Sequence, residues 1–240
     1  MLDVHLPHHS PNTWRDFLLH IATIVIGLLI AIGLEQTVEA LAHRHERAEL
    51  IENMHIQARR NLPILQEDTH VAEIHLDWLR SAIEQLQDAP LNGGIVTVTL
   101  PAHVAAPPAR EPSKAVWSVA KSNGTAALLP ENLSEVYDRL EYDAENCDEA
   151  VKQQTPVYAR EAAAELRFRA HFLPGATLRL TAEQRDEVIS LLSDDAASLR
   201  SVIFAIKKWP ASSDAVLHNA QSRAGMNAYL SHAEELPDSN

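Results

Sequence analysis

FLLHIATIVIGLLIAIGL, residues Phe17 to Leu34, decides how the rest of the chain is read. Its eighteen residues contain no Asp, Glu, Lys or Arg and one histidine, His20. As a helix it spans about 27 Å, close to the hydrocarbon thickness of a bilayer. Twelve of its side chains are strongly apolar, worth roughly −4 to −7 kcal/mol for insertion, from which His20, Thr23 and two glycines subtract. A core helix of a water-soluble protein carries a polar stripe, and none runs between Ile21 and Leu34. The stretch therefore reads as a transmembrane helix, placed at residues 13–36. A cleaved signal peptide is the main rival. Val38-Glu39-Ala40 loosely resembles a cleavage site, but Glu39 is unfavourable there, Asp3 and Asp16 are foreign to a signal's N-side region, and the apolar run is long. A buried helix of a soluble protein is the third reading.

The flanks support a helix start and suggest a direction. Thr13 can cap the first turn, Asp16 can return the bond, and Trp14 stands at interfacial depth. Arg15 and the amino terminus put positive charge on the N-side. Glu35 and Glu39 come first on the other side, before Arg44 and Arg47. That asymmetry favours a cytoplasmic N-terminus, with the remaining domain outside the cytoplasmic membrane.

Beyond the span, Glu35 to Asn61 holds no Gly or Pro. Leu34, Val38, Leu41, His45, Ala48 and Glu52 follow a heptad-like seam with polar members. Residues 37–88 are expected to form a juxtamembrane helical stalk, broken or kinked at Leu62-Pro63, with Val71, Ile74, Trp78, Ala82 and Leu86 on one stripe. Residues 89–112 concentrate proline and read as a linker with one short strand in IVTVTL. A helical bundle is expected over 113–240. Its first helix stops at Asn123-Gly124. The next starts near Pro130 and buries Leu133, Val136, Leu140, Ala144, Cys147 and Val151. Pro156 kinks or splits it, and Ala159, Ala163, Leu166 and Ala170 continue the stripe. Thr181 caps another helix with Gln184 as capping-box partner, and Val188, Leu191, Leu192, Leu199, Val202, Ile203 and Ile206 form its apolar face. Pro210 marks a break before a last helix from about Asp214 to Glu234. The expected fold class is all-α: one N-terminal transmembrane helix continuing into a stalk, plus a soluble helical bundle. A polar His-rich tail, residues 1–12, precedes it.

The chain has 240 residues and a net charge of −13, with a pI near 5.4. This balance argues against nucleic acid as a partner, since phosphate binding needs a basic surface. Seven glycines and 5% aromatics accompany an Ala-, Leu- and Glu-rich composition that favours helix. Cys147 is the single cysteine, so no internal disulfide exists.

Two segments together, TWRDFLLHIATIVIGLLIAIGLEQ and VWSVAKSNGTAALLPENLSEVYDRLEYD, carry a resemblance. Trp117, Gly124, Leu128, Leu129, Tyr137 and Leu140 mark the second. The pair resembles a group of uncharacterised bacterial membrane proteins with one N-terminal anchor, a charged helical stalk and a small helical domain. The resemblance covers about half the chain and rests on structural phrases. It implies a bacterial single-pass protein and brings no activity with it; together with the charge order of the flanks, the expected place is the inner (cytoplasmic) membrane with the C-terminal domain periplasmic. The histidines near the N-terminus are a departure from that group.

The remaining constellations are weak. Thr23, Gly27 and Ala31 recur every four residues in the span, a spacing that lets helix backbones approach closely. Of the 13 histidines, His43 and His45 point to different sides of a helix, and HERAE at His45 to Glu49 lacks the last histidine of HExxH. Two Glu-x-x-His pairs occur, Glu52/His55 and Glu67/His70. In di-iron bundles such pairs come from two helices with further Glu partners, and Pro63 alone leaves no room here for a hairpin between them. Solvated histidines are the expected reading, with a metal or di-metal site as the alternative. His20 snorkels toward the headgroups in the simplest account. Glu161/Glu165 and Asp194/Asp195 read as solvated faces. No catalytic or cofactor-binding motif is present, so no catalytic residue and no cofactor is expected. The expected role is that of a scaffold or interaction protein in the lipid bilayer, forming a homo-oligomer or part of a membrane complex.

Overall fold

The computed structural model describes residues 14–102 and 112–235. The tail over 1–12, Thr13 and residues 103–111 of the Pro-rich segment lie outside the described residues. The fold is mostly helical: α1 (Trp14–Asp88), α2 (Ala115–Ser122), a 3-10 turn (Thr125–Leu128), α3 (Glu131–Phe168), α4 (Ala182–Leu217) and α5 (Arg223–Glu235). The chain forms two units, Met1–Glu49 and Leu50–Asn240.

In the first unit, every described residue of α1 is exposed. It holds a window of mean hydropathy 2.6 with no buried residue, long and apolar enough to cross a membrane. The hydroxyl of Thr23 donates to the Leu19 carbonyl (2.9 Å) and that of Thr37 to the Gly33 carbonyl (2.7 Å). These polar groups are thus satisfied within the helix, as an apolar solvent demands.

The second unit contains the core. The stalk expected over 37–88 divides here: residues 37–49 are exposed, whereas Leu50, Met54, Ala58, Leu65, Leu76, Leu79, Ala82 and Leu86 are buried. Spacings of three, four, seven and eleven give this part of α1 an apolar stripe that the polar majority around it conceals. The seam drawn through Leu34, Val38, Leu41, His45, Ala48 and Glu52 is exposed throughout. Two polar residues on the buried stripe serve α2, whose own N-cap makes no side-chain bond. The Gln57 side-chain carbonyl accepts from the Val116 amide (3.0 Å). Asn61 donates to the Ser113 carbonyl (2.6 Å) and accepts from the Ser113 amide (2.9 Å). One helix thereby satisfies orphan donors at the start of another.

The all-α expectation omits a small sheet. β1 (Leu91–Asn92), β2 (Ile95–Thr99) and β3 (Thr177–Thr181) form an antiparallel sheet in that order. The β1–β2 turn is Gly93-Gly94 at φ +62° and +83°, the left-handed pair that a tight hairpin requires. β2 was legible as IVTVT. Its partner TLRLT alternates equally well, and Val96, Val98, Leu178 and Leu180 all point into the core. Thr181 closes β3 and caps α4 in a complete capping box, accepting from the Gln184 amide (3.2 Å) while the Gln184 side chain accepts from the Thr181 amide (2.9 Å).

None of the three prolines ends its helix. α1, α3 and α4 run through Pro63, Pro156 and Pro210. A proline inside a helix costs about 3 kcal/mol. Pro63 and Pro156 are exposed, so the carbonyl each leaves unpaired can turn to water, and buried residues lie on both sides of each proline. A few buried aliphatic side chains, each worth about 1.5–3 kcal/mol, outweigh that cost. Consequently α4 extends to Leu217, and α5 begins at Arg223, not near Asp214. α3 and α4 pack along each other. A carboxylate pins them: Asp143, fully buried, accepts from Arg139 Nε (3.0 and 3.1 Å) and from the Ser212 hydroxyl.

Candidate binding pocket

Regular apolar stripes direct attention to the places where they are interrupted. On α4, Val188, Leu191, Leu192, Leu199, Val202, Ile203 and Ile206 are buried as expected, and Asp195 is buried with them, 1% exposed. On α3, Leu133, Val136, Leu140, Ala144 and Cys147 are buried, but Val151 is exposed. Past that point the buried face passes through Gln154, Val157 and Ala164, with Glu161 half-buried. Ala159, Ala163 and Leu166, the expected continuation, face solvent, Leu166 at 83% exposure. The reading of Glu161/Glu165 and Asp194/Asp195 as solvated faces holds only for Asp194, which is exposed and pairs with Arg160 (2.9 Å).

These polar residues meet around a cavity of about 300 Å³ between α1, α3, α4 and the segment preceding β3. Asp195 accepts from the Gln154 amide (3.1 Å) and lies 3.6 Å from His75 Nε2. His75 stacks on Trp78, ring centroids 5.6 Å apart, and Trp78 Nε1 donates to the Pro101 carbonyl (2.9 Å). Glu165 accepts from the Phe172 amide (2.6 Å), tying down the chain that leaves α3. Trp78, Tyr158, Phe172, Leu173 and Leu192 supply apolar wall.

Burial pushes the Glu161 carboxyl up to about 8, reinforced by the charges of Asp195 and Glu165 and opposed by Arg160. Burial likewise pushes Tyr158 up to about 12, with Asp195 and Glu161 adding to it. Glu161 Oε1 is buried without a hydrogen-bond partner. The site thus gathers three carboxyl groups with no Lys or Arg among its lining residues, and the raised Glu161 carboxyl is one that a bound cation would help to ionise.

The residues singled out in the sequence lie elsewhere. Thr23, Gly27 and Ala31 are exposed on the first unit's helix, and a Cβ added at Gly27 meets nothing within 4 Å. Glu52, Glu67 and His70 are exposed and His55 half-buried. The two Glu-x-x-His pairs share one uninterrupted helix, which separates them by about 22 Å. His70 lines a shallow groove with Glu73 and Lys207, which pair at 2.7 Å. Among the described residues no group of three or more His, Cys, Asp or Glu is arranged to hold a metal. Cys147 is buried, and burial pushes its thiol up to about 11.

His75 and Gln154, the partners of Asp195, were not singled out in the sequence, and Glu161 and Asp195 were read there as solvated. The available signal was Asp195 standing midway between Leu191/Leu192 and Leu199 at helical spacing. Comparison with protein-family models, with curated proteins and with solved structures finds no match to this chain.

Proposed function

We propose that the chain is a bacterial single-pass membrane protein whose helical second unit works outside the cytoplasmic membrane as a scaffold or interaction domain. One observation carries this reading: the apolar window of α1 has no buried residue, so its side chains find no protein to cover them. Lipid is the solvent that suits such a surface. The charge order, Arg15 before the window and Glu35 and Glu39 after it, supports a periplasmic second unit. The resemblance of its two phrases to those of anchored bacterial membrane proteins agrees with the same assignment. The Thr23, Gly27 and Ala31 stripe offers a contact for a second copy or a partner helix. Gly27→Ile is compatible with the lone helix, where a Cβ meets nothing. A loss of crosslinked dimer in that variant therefore reports a helix–helix contact.

Membrane fractions washed with alkaline carbonate and analysed by intact mass test the anchor. Full-length chain retained in the pellet is expected. Release into the wash, or a mature form starting near Leu41, contradicts the reading. A phosphatase fused after Asn240 is expected to be active, and activity of a cytoplasmic reporter there reverses the orientation.

A further inference from the structure

We propose that the pocket between α1, α3 and α4 binds a small organic ammonium ion carrying a compact apolar group. This goes beyond the anchored-scaffold reading and stands or falls separately from it. Glu161, Glu165 and Asp195 line the cavity, no Lys or Arg does, and His75 is its one basic member. The Asp195 side chain is only 2% exposed. It accepts one hydrogen bond, from the Gln154 amide at 3.1 Å, and has the His75 imidazole at 3.6 Å, fewer than the four positions at which a carboxylate accepts. Glu161 Oε1, also buried, has no partner. A primary ammonium brings three N–H donors for the unfilled acceptor positions and one positive charge that favours the ionised form of the Glu161 carboxyl.

The rest of the wall selects the body of the ligand. Trp78, Tyr158 and Phe172 present rings, and Leu79, Leu173 and Leu192 present aliphatic surface. Rings beside a cation add attraction of their own. A bare divalent metal needs oxygen or nitrogen ligands on most sides, and more than half of this wall is apolar. The cavity of about 300 Å³ is at the small end of ligand sites, which suits a single-ring or short branched amine.

The test is isothermal titration of the full-length protein in dodecyl maltoside micelles with phenethylamine, using empty micelles as the blank. 2-Phenylethanol serves as the uncharged counterpart, and zinc and calcium are titrated alone. A saturable heat is expected with the amine, with the alcohol weaker by at least about tenfold. Glu161→Gln and Asp195→Asn are each expected to weaken the amine by at least about tenfold. Glu161→Gln removes a partnerless buried carboxyl and keeps the fold, so it decides the matter even if Asp195→Asn does not fold. No saturable heat with the amine up to about 10 mM, equal binding of alcohol and amine, unchanged affinity in Glu161→Gln, or stoichiometric metal binding that displaces the amine overturns the proposal.

Discussion

Phe17 to Leu34 and Leu50 to Leu86 belong to the same helix and treat their apolar side chains in opposite ways. The first stretch is apolar on every side and buries nothing. The second is rich in Glu, Asp, His and Arg, yet it contributes Met54, Ala58, Leu65, Leu79, Ala82 and Leu86 to the core. The number of apolar residues therefore does not say what a helix packs against. Their angular distribution does: a uniform surface needs one solvent all round, while a stripe needs a protein on one side and water on the other.

The sharpest way to break this comparison is to put charge on the uniform stretch. Ile26→Asp with Ile30→Asp adds about 5–7 kcal/mol at the centre of the span, comparable to the whole insertion energy. The double variant is expected to leave the membrane pellet, and circular dichroism is expected to show the helices of the second unit intact. Leu79→Ala makes the complementary change in the stripe. It is expected to lower unfolding free energy by about 2–5 kcal/mol while leaving membrane retention unchanged, as denaturant titration in micelles will show.

Smaller effects sharpen the rule on α3. Burial holds the Glu161 carboxyl at about 8 in the folded chain, against 4.5 without the fold. The folded state thus retains a proton that the unfolded state releases. Its stability contribution is fully present below about pH 4.5 and is lost as pH rises through about 8. Glu161→Gln is therefore expected to match the parent in thermal unfolding near pH 4.5 and to exceed it increasingly up to pH 8, where a constant difference across that range contradicts the burial of this carboxyl. Leu166→Ser, on the exposed face, is expected to change stability by less than about 0.5 kcal/mol.

How much could be read from the sequence varies with the element. The aliphatic part of the α4 stripe was legible because seven large residues define its phase, while Asp195 within it was not. The second half of α3 was not, because Ala159 and Ala163 suggest a face that Gln154 and Glu161 in fact occupy. Periodicity arguments count apolar residues, so a core face completed by polar ones drops out of phase. The β3 strand was hidden for a different reason: TLRLT ends in the threonine that caps α4, and the helix start was the stronger local signal. Pro63, Pro156 and Pro210 suggested breaks because a proline's penalty is local and visible, while the packing that overrides it is long-range. The pocket was least accessible, since its polar members come from positions 75, 161, 165 and 195, brought together by three helices.

The central claim is that the window at Phe17 to Leu34 lives in lipid while the stripe of Met54, Ala58 and Leu65 lives in protein. Spin labels placed singly along both stretches of the full chain in liposomes test it directly. Oxygen is expected to reach every label from Ile21 to Ala31 while a water-soluble nickel complex reaches none, and labels at 54, 58 and 65 are expected to be shielded from both. Nickel access between Ile24 and Ile30 contradicts it.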